Sequence, residues 1–296
     1  MLSFEPVTTE NVLSLKPYLA RQTYRSCDYT VGAIYQWRAY FHATFALSRE
    51  MLIMSVEYPG EGRYYTWPVG SGDIQSALDA VEQDAAGRGE TLRFCTVPES
   101  GKDILLARYG TRCRAESKRD WADYLYNLED HVGFPGKKFH TQRNHLNHFM
   151  KENPGWRFVP VTVETLPVAK RFLAEYEQYA PIDKVIEKEE MYRSEELLRE
   201  ALVLEQKAGY IDVDGTVVAL AVGETMGDTL FVHVEKARVD YAGAYQAIVS
   251  EFARYAAEPE TRFINREDDS GEEGLRFSKL SYRPVDFVEK YWVTVG

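Results

Sequence analysis

The sequence has few cysteines, no long apolar run and no recognisable leader, and each absence excludes a class of protein. Its 296 residues contain three cysteines, none of which forms a CxxC pair. Such an odd, scattered set indicates neither a disulfide framework nor a zinc site. The longest apolar run spans residues 217–222, which is far too short to cross a bilayer. Residues 1–12 lack a basic start followed by an apolar stretch, so we expect a cytoplasmic protein without a signal peptide or integral membrane segment.

Positive charge is scarce relative to negative charge. The chain has 35 lysines and arginines against 46 acidic residues, which makes the formal net charge -11 at pH 7. An acidic surface repels nucleic acid and anionic lipid, so contact with a polyanion would require a local basic patch. Hydrophobic residues make up 45% of the chain, which is ample for folded cores and argues against disorder.

The order of predicted elements occurs twice along the chain. The first half contains strands at 52–56, 64–67 and 91–95 and helices from about Asp73 and through Ile104. The second half contains strands at 210–213, 216–222, 229–234 and 261–264 and helices through Tyr245 and Leu275. Because the two halves match at an offset of roughly 170 residues, they indicate two copies of one unit.

We therefore predict an α+β fold of two tandem units, each a mixed, mostly antiparallel sheet flanked by helices. The expected ranges are 1–130 for the first unit, 131–155 for a connecting basic helix and 156–296 for the second unit. The stretch 121–126 is expected to be the closing strand of the first unit. Pro135 suits the first turn of the connecting helix.

Residues 277–285 carry the most informative pattern in the chain. They read Phe-Ser-Lys-Leu-Ser-Tyr-Arg-Pro-Val and resemble the Phe-Tyr-x-Lys-x-Gly-Phe-x-Pro ending of the GNAT acyltransferases, with Ser281 and Tyr282 in place of Gly-Phe. In that fold the helix flanks the reactive end of the acyl donor. The resemblance thus implies that the active cleft lies in the C-terminal unit.

Two further stretches carry a family resemblance. Residues 136–147 read Gly-Lys-Lys-Phe-His-Thr-Gln-Arg-Asn-His-Leu-Asn, and residues 265–269 read Asn-Arg-Glu-Asp-Asp, continuing to Pro284. Both resemble signatures of a bacterial family allied to the C-terminal domain of phosphatidylglycerol lysyltransferase. The resemblance covers nearly the whole chain and implies two tandem GNAT-type units. It also points to relatives that transfer aminoacyl groups from tRNA, so the expected donor is aminoacyl-tRNA or acyl-CoA, with no tightly bound cofactor.

The loop at 234–244 lies between a strand and a helix and resembles a GNAT phosphate loop, Arg-x-x-Gly-x-Gly or Gly-x-Ala. Arg238, Gly243 and Ala244 fit this form, whereas Tyr241 stands at the first glycine position. In such loops bare backbone N–H groups meet a pyrophosphate at a helix N-terminus. A tyrosine there narrows the path of coenzyme A, and these residues are candidates for holding the donor's phosphate or ribose end. The alternative is an ordinary strand-to-helix turn that uses Gly243 for backbone freedom.

An acidic turn follows the strand that ends near Asn265. Its five carboxylates fall within seven residues and are Glu267, Asp268, Asp269, Glu272 and Glu273. Amine acylation needs a neutral nucleophile, so Glu267 or Asp268 is the candidate that accepts the ammonium proton. Acidic residues also favour a helix N-terminus for dipole reasons, which is the alternative. The Asp-x-Asp-x-Asp-Gly spacing of a calcium loop is missing, and no metal site is expected.

Three polar residues near this turn complete the candidate cleft. Lys279 and Tyr282 are three residues apart and would be neighbours on a helix. Tyr282 is the candidate that protonates a leaving thiolate or ribose oxygen, and its alternative role is to pack the helix end. Asn265, at the strand's end, and Lys279 are candidates for contact with the donor.

Residues 131–151 contain no acidic residue in a chain otherwise rich in them. The candidates for contact with a polyanion in this stretch are Lys137, Lys138, Arg143 and Asn144. A helix at 136–151 that carries them would grip phosphates of an RNA acceptor arm or a lipid headgroup. The alternative is that these residues pair with acidic surface in the second unit. The histidines of the stretch do not have metal-ligand spacing.

The chain has no Ser-His-Asp elbow, Walker loop or full Rossmann fingerprint, which favours direct transfer between two bound substrates. The predicted function is an N-acyl or aminoacyl transferase that moves an activated acyl group to an amine or hydroxyl acceptor. The first alternative is a non-catalytic tandem module that binds a tRNA end or an amino-acid-like ligand. The second is lipid aminoacylation by a peripheral membrane protein, which the acidic net charge disfavours.

Overall fold

The structure is a computed structural model that describes residues 2–179 and 184–296. The chain forms two compact units. The first comprises Met1–Asp123, Asp268–Glu273 and Phe287–Gly296, and the second comprises Tyr124–Glu267 and Gly274–Asp286. Each unit contains a mixed sheet with helices, which confirms the predicted α+β class with two units.

The elements are numbered along the chain. The α-helices are α1 (Lys16–Leu19), α2 (Val31–Trp37), α3 (Ile74–Arg88), α4 (Glu99–Tyr109), α5 (Leu128–His131), α6 (His140–Glu152), α7 (Leu166–Ala174), α8 (Val185–Glu200), α9 (Ala244–Ala256) and α10 (Glu273–Ser281). The strands are β1 (Glu5–Pro6), β2 (Thr44–Ser48), β3 (Met51–Tyr58), β4 (Gly62–Thr66), β5 (Val69–Gly70), β6 (Leu92–Val97), β7 (Cys113–Ser117), β8 (Asp123–Asn127), β9 (Trp156–Pro160), β10 (Lys207–Val213), β11 (Thr216–Met226), β12 (Thr229–Ala237), β13 (Phe263–Asn265), β14 (Asp286–Val288) and β15 (Tyr291–Val295). Among the helices of the described ranges, none has the length and apolar character that crossing a membrane requires.

The ends of α3 illustrate how local sequence sets the elements. The Asp73 carboxylate accepts a hydrogen bond from the backbone N–H of Ser76 at 2.8 Å and caps the helix N-terminus. At the other end Gly89 adopts the left-handed conformation, with φ +68°, that terminates many helices. The predicted start near Asp73 is therefore confirmed.

In the first unit the sheet has the strand order β1-β2-β3-β4-β6-β15-β7, with β5 paired to β3. Strands β4 and β6 run parallel as far as Thr66 opposite Cys95. Just beyond that pair, the Tyr29 hydroxyl donates to the carbonyl of Thr96 at 2.9 Å and accepts from the backbone N–H of Trp67 at 3.0 Å. A buried tyrosine thus occupies the position where these two strands part.

The second sheet has the order β14-β8-β13-β12-β11-β10-β9. Strands β12 and β13 run parallel as far as Phe231 opposite Asn265, where β13 ends while β12 continues to Ala237. Helix α9 packs on β10, β11 and β12 and buries Ile248 and Phe252. Truncating a buried phenylalanine such as Phe252 to alanine typically costs about 3–5 kcal/mol. This packing fixes α9 against the sheet.

Two strands do not lie where the sequence order suggested. β8, expected to close the first unit, pairs with β13 in the second sheet, with Tyr126 opposite Ile264. β15, at the C-terminus, pairs with β6 and β7 in the first sheet. The expected connecting segment 131–155 belongs to the second unit and contributes α6. Pairing between strands far apart in sequence leaves no mark on local periodicity, which explains these differences.

Candidate functional site

A cavity of about 330 Å³ opens in the second unit at the N-terminus of α9. Its walls come from the loop that begins at Arg238, the first turn of α9, His145 of α6, and the end of α10 with Tyr282. Among the residues singled out from sequence, Arg238, Tyr241, Gly243 and Tyr282 line this cavity. The structure therefore brings residues about 45 positions apart around one opening of the size that small-ligand sites have.

Gly243 is required by packing within the unit. Its φ is +90°, in the left-handed region that favours glycine. A Cβ atom at this position would lie 2.2 Å from the backbone carbonyl oxygen of His145. Close approach of α6 therefore explains the glycine without a bound phosphate. The next residue, Ala244, is fully buried at the start of α9 and does not line the cavity.

Arg238 is already neutralised by a neighbour in the same loop. Its guanidinium donates from Nε and Nη2 to the two carboxylate oxygens of Asp240, at 3.0 and 2.6 Å. The hydrogen bond to Asp240 raises the pKa of Arg238. The Cζ atom lies 4.1 Å from the ring centroid of Tyr179 and 4.9 Å from that of Tyr241. The side chain predicted to hold a phosphate is thus stacked with two tyrosines and paired with an acid.

Tyr282 presents a protonated phenol at the cavity. The side chain is 3% exposed, and its hydroxyl accepts a hydrogen bond from Gln246 Nε2 at 3.2 Å. The ring stacks on His131 with 5.6 Å between centroids, and the Arg266 guanidinium lies 4.5 Å from it. Burial raises the pKa of Tyr282 to about 12, even though Arg266 opposes the shift. The phenol therefore keeps its proton at neutral pH and can donate it.

A buried ion pair supports this tyrosine, and sequence analysis did not identify it. Arg266 Nη2 donates to Glu235 Oε1 at 2.6 Å, and the two side chains are 10% and 11% exposed. Lys279 Nζ donates to the carbonyl oxygen of Arg266 at 2.7 Å. Lys279, a candidate for donor contact, thus bonds to the backbone and does not line the cavity.

Glu267 belongs to a second buried network that centres on His233. The imidazole lies between two carboxylates, with Nδ1 2.8 Å from Glu267 Oε1 and Nε2 3.1 Å from Glu224 Oε1. Burial disfavours the imidazolium, but the two carboxylates outweigh it and raise the pKa of His233 to about 9. The backbone N–H of Glu267 donates to Asn265 Oδ1 at 2.7 Å. Asn265, expected to contact the donor, is fully buried and holds this turn.

The acidic turn divides between the two units. Asp268 lies in the first unit, where its Oδ2 is 3.7 Å from Lys290 Nζ. The same ammonium lies 2.8 Å from Asp28 and 2.6 Å from Asp123. Asp28 and Asp123, with Cys27, form a cluster that could hold a metal ion by spacing, and Lys290 is the cation that lies among them. Glu267 and Asp268 therefore serve different networks despite their adjacency.

The basic segment around α6 is partly engaged by its own unit. Lys138 Nζ lies 2.8 Å from Asp130 Oδ2. Arg143 donates to the carbonyl oxygens of residues 134 and 136 at 2.6 and 2.9 Å. Asn144 Nδ2 lies 3.0 Å from His140 Nδ1 on the exposed face of the helix. Lys137 is exposed to solvent. Pairing with an acidic residue of the second unit thus accounts for Lys138, whereas Arg143 bonds to backbone carbonyls, and polyanion contact stays a prediction.

Comparison with known proteins identifies the family. The model for the C-terminal region of phosphatidylglycerol lysyltransferase matches residues 20–294. The chain belongs to this family. The curated relative MYCGA3080, an uncharacterized protein of Mycoplasmoides gallisepticum, is 24% identical to it over 179 residues. That match covers 58% of this family member and only 56% of the relative's length.

Solved structures share the fold over most or all of the chain. A conserved protein of unknown function from Bacteroides thetaiotaomicron has a TM-score of 0.93 and 30% identity, with 100% of each chain covered. The C-terminal domain of a putative lysylphosphatidylglycerol synthetase from Agrobacterium fabrum has a TM-score of 0.67 and 14% identity, covering 97% of this chain and 92% of that one. L-PGS from Bacillus licheniformis has a TM-score of 0.63 and 16% identity, covering 86% and 84%. The family model thus links the chain to phosphatidylglycerol lysyltransferase, and these structures show that the fold is shared.

Proposed function

We propose that this protein is a transferase that moves an activated aminoacyl or acyl group to an amine or hydroxyl acceptor. The observation that carries the proposal is the second-unit cavity, with the phenol of Tyr282 at its wall, in a chain of the phosphatidylglycerol lysyltransferase C-terminal family. The donor occupies this cavity with its activated carbonyl group toward Tyr282. Positioning of two substrates supplies much of the rate in such direct transfers.

The reaction exchanges one bond for another. The lone pair of the acceptor nitrogen or oxygen attacks the donor's carbonyl carbon and forms the new C–N or C–O bond. The bond from that carbon to the leaving oxygen or sulfur then breaks, and its electron pair stays with the leaving atom. The proton lost by the acceptor goes to a carboxylate. Glu267 pairs with His233 and does not line the cavity, so it is our candidate to take this proton through a water molecule. The leaving atom receives a proton from Tyr282.

The acidity of Tyr282 favours an oxygen ester as the donor. A departing thiolate has a conjugate acid with a pKa of about 8.5 and needs no proton from a weaker acid. A departing alkoxide is far more basic and gains from a phenol whose pKa is about 12. Aminoacyl esters of ribose are donors of this kind. We therefore propose an aminoacyl ester in preference to an acyl thioester.

The exposed face of α6 is proposed as the contact for the polyanionic part of such a donor. His140 and Lys151 are exposed on this helix, and Lys137 is exposed just before it. Each lysine that contacts a phosphate should contribute about 0.7–0.9 to the slope of log affinity against log salt. Lys137→Ala/Lys151→Ala should therefore flatten the slope for aminoacyl-tRNA, whereas Lys188→Ala on exposed α8 should not. Equal slopes in all three proteins would contradict this contact.

The function is tested by supplying both donor classes to the purified protein. Labelled aminoacyl-tRNA and labelled acetyl-CoA are incubated with a panel of amine and hydroxyl acceptors, and transfer of label is measured. We expect transfer from the aminoacyl ester, and Glu267→Gln should lower the rate about 100-fold or more. Glu260→Gln, on the exposed surface, serves as the matched control. Absence of transfer from either donor, with binding retained, would instead support the non-catalytic module that the Arg238–Asp240 pair also suits.

A further inference from the structure

We propose that the second-unit cavity is a nucleoside site, with a planar base stacked on Tyr241 and no subsite for a pyrophosphate. This inference rests on the same cavity as the proposed function and specifies the part of the donor that enters it. Its test measures binding alone, so it can fail or succeed independently of turnover.

Charge in the cavity wall argues against a pyrophosphate. Among the described residues that line the cavity, Arg238 is the one with a permanent charge, and Asp240 holds it in a two-point ion pair. The Asp240 side chain is 54% exposed, so it adds negative charge beside the N-terminus of α9. A pyrophosphate would have to displace Asp240 from Arg238 and remain next to it. Like charges at that distance repel, and this repulsion offsets the attraction between an anion and the positive end of the helix dipole.

Aromatic stacking in the wall suits a base. The Arg238 guanidinium lies within 5 Å of the ring centroids of both Tyr179 and Tyr241, so the three planar groups form one cluster. Its position is fixed by the Asp240 pair. Tyr241 also lines the cavity and is half-buried, which leaves part of its ring for contact with a ligand. Stacking of a base on an aromatic side chain strengthens binding about 5- to 150-fold, whatever the base.

The remaining polar groups suit ribose and base edges. Gln246, Ser278 and Ser281 bring neutral amide and hydroxyl groups to the wall. The Ser281 hydroxyl donates its proton to the Ser278 carbonyl at 2.7 Å, and its oxygen can still accept from a sugar hydroxyl. Neutral groups of this kind recognise uncharged ligands by hydrogen bonds. Such a wall matches a sugar and a base better than a phosphate.

Cavity size agrees with this assignment. A volume of about 330 Å³ lies at the lower end of the range for small-molecule sites, about 300–1,000 Å³. A nucleoside is a ligand of that scale. Coenzyme A carries a phosphorylated nucleoside diphosphate and a pantetheine arm and would require a much longer groove. Tyr241 stands where a phosphate loop has glycine, which narrows that route further.

The experiment titrates the full chain with adenosine, uridine, coenzyme A and pyrophosphate and measures binding by calorimetry. We expect saturable binding of adenosine, weaker binding of uridine because a pyrimidine stacks over less area, and no competition by pyrophosphate. Tyr241→Leu should weaken adenosine binding at least fivefold. Tyr192→Leu, an exposed tyrosine on α8, is the matched control and should bind as the wild type does. Far-ultraviolet circular dichroism confirms that each variant is folded.

Asp240→Asn supplies a test by gain of affinity, whereas Tyr241→Leu tests by loss of affinity. Removing the carboxylate frees Arg238, so pyrophosphate should bind at least fivefold more tightly while adenosine changes little. The proposal is overturned if wild-type protein prefers coenzyme A or pyrophosphate to adenosine. It is equally overturned if adenosine fails to bind up to its solubility limit, or if Tyr241→Leu binds adenosine as tightly as Tyr192→Leu.

Discussion

His233 should keep its proton up to about pH 9, and the stability of the protein should depend on that proton. The imidazole is fully buried between Glu224 and Glu267, and these carboxylates raise its pKa from 6.5 to about 9 against the effect of burial. One pKa unit corresponds to 1.36 kcal/mol. The protonated histidine thus contributes up to about 3 kcal/mol to the free energy of unfolding.

The sign follows from which state holds the proton more tightly. Because the folded state has the higher pKa, the contribution is fully present below about pH 6.5 and is lost as the pH rises through about 9. Within that window the folded state binds one proton more than the unfolded state. The free energy of unfolding should then fall by up to about 1.4 kcal/mol per pH unit. An isolated histidine exposed to solvent would produce no such slope.

The assay compares wild-type protein with His233→Gln by urea unfolding at about pH 6, 7.5 and 9.5. The difference between the two proteins should be largest at the lowest pH and shrink by about 2–3 kcal/mol at the highest. Glu224→Gln removes one carboxylate, so its free energy of unfolding should fall less between about pH 6 and 9.5 than that of the wild type. This variant provides a second measurement if His233→Gln folds poorly. A difference that stays constant across the three pH values would refute a protonated His233.

Two further substitutions test the packing around the cavity. Gly243→Ala should destabilise the protein by about 2 kcal/mol more than Gly215→Ala, because both have φ near +90° but only the Cβ at Gly243 meets a backbone oxygen. If thermal unfolding shows equal losses of stability for the two variants, α6 must move away to accommodate the added Cβ at this contact. Arg266→Met should cost about 3–5 kcal/mol by leaving Glu235 buried without its partner, and Arg266→Met/Glu235→Leu should recover most of that loss. A double variant as unstable as the single one would contradict the ion pair as the cause.

Much of the fold could be predicted from local patterns. The helix start near Asp73 was predicted from local periodicity, and the structure confirms it. The family resemblance, carried by contiguous motifs at 136–147 and 265–269, is confirmed by the match over residues 20–294. The exchange of β8 and β15 between the sheets could not be predicted, because strand partners far apart in sequence leave periodicity unchanged.

The candidate site was harder to predict than the fold. The loop at Arg238 was identifiable because its spacing matched a known form, but its pairing with Asp240 depends on the loop's conformation. Glu235 and His233 lie on a strand where a charged side chain normally faces solvent. Their burial arises from partners on other elements, Arg266 and Glu267, which only the fold brings close.

The measurement that tests the central claim most directly is the single-turnover rate of aminoacyl transfer by Tyr282→Phe. The substitution removes one hydroxyl from the cavity wall and leaves the ring to pack as before. If Tyr282 protonates the leaving oxygen, the rate constant at saturating donor should fall about 100-fold or more, with little change in donor affinity. Tyr255→Phe, 39% exposed on α9, should transfer at the wild-type rate. A Tyr282→Phe protein that transfers as fast as Tyr255→Phe would contradict a transferase site at this cavity.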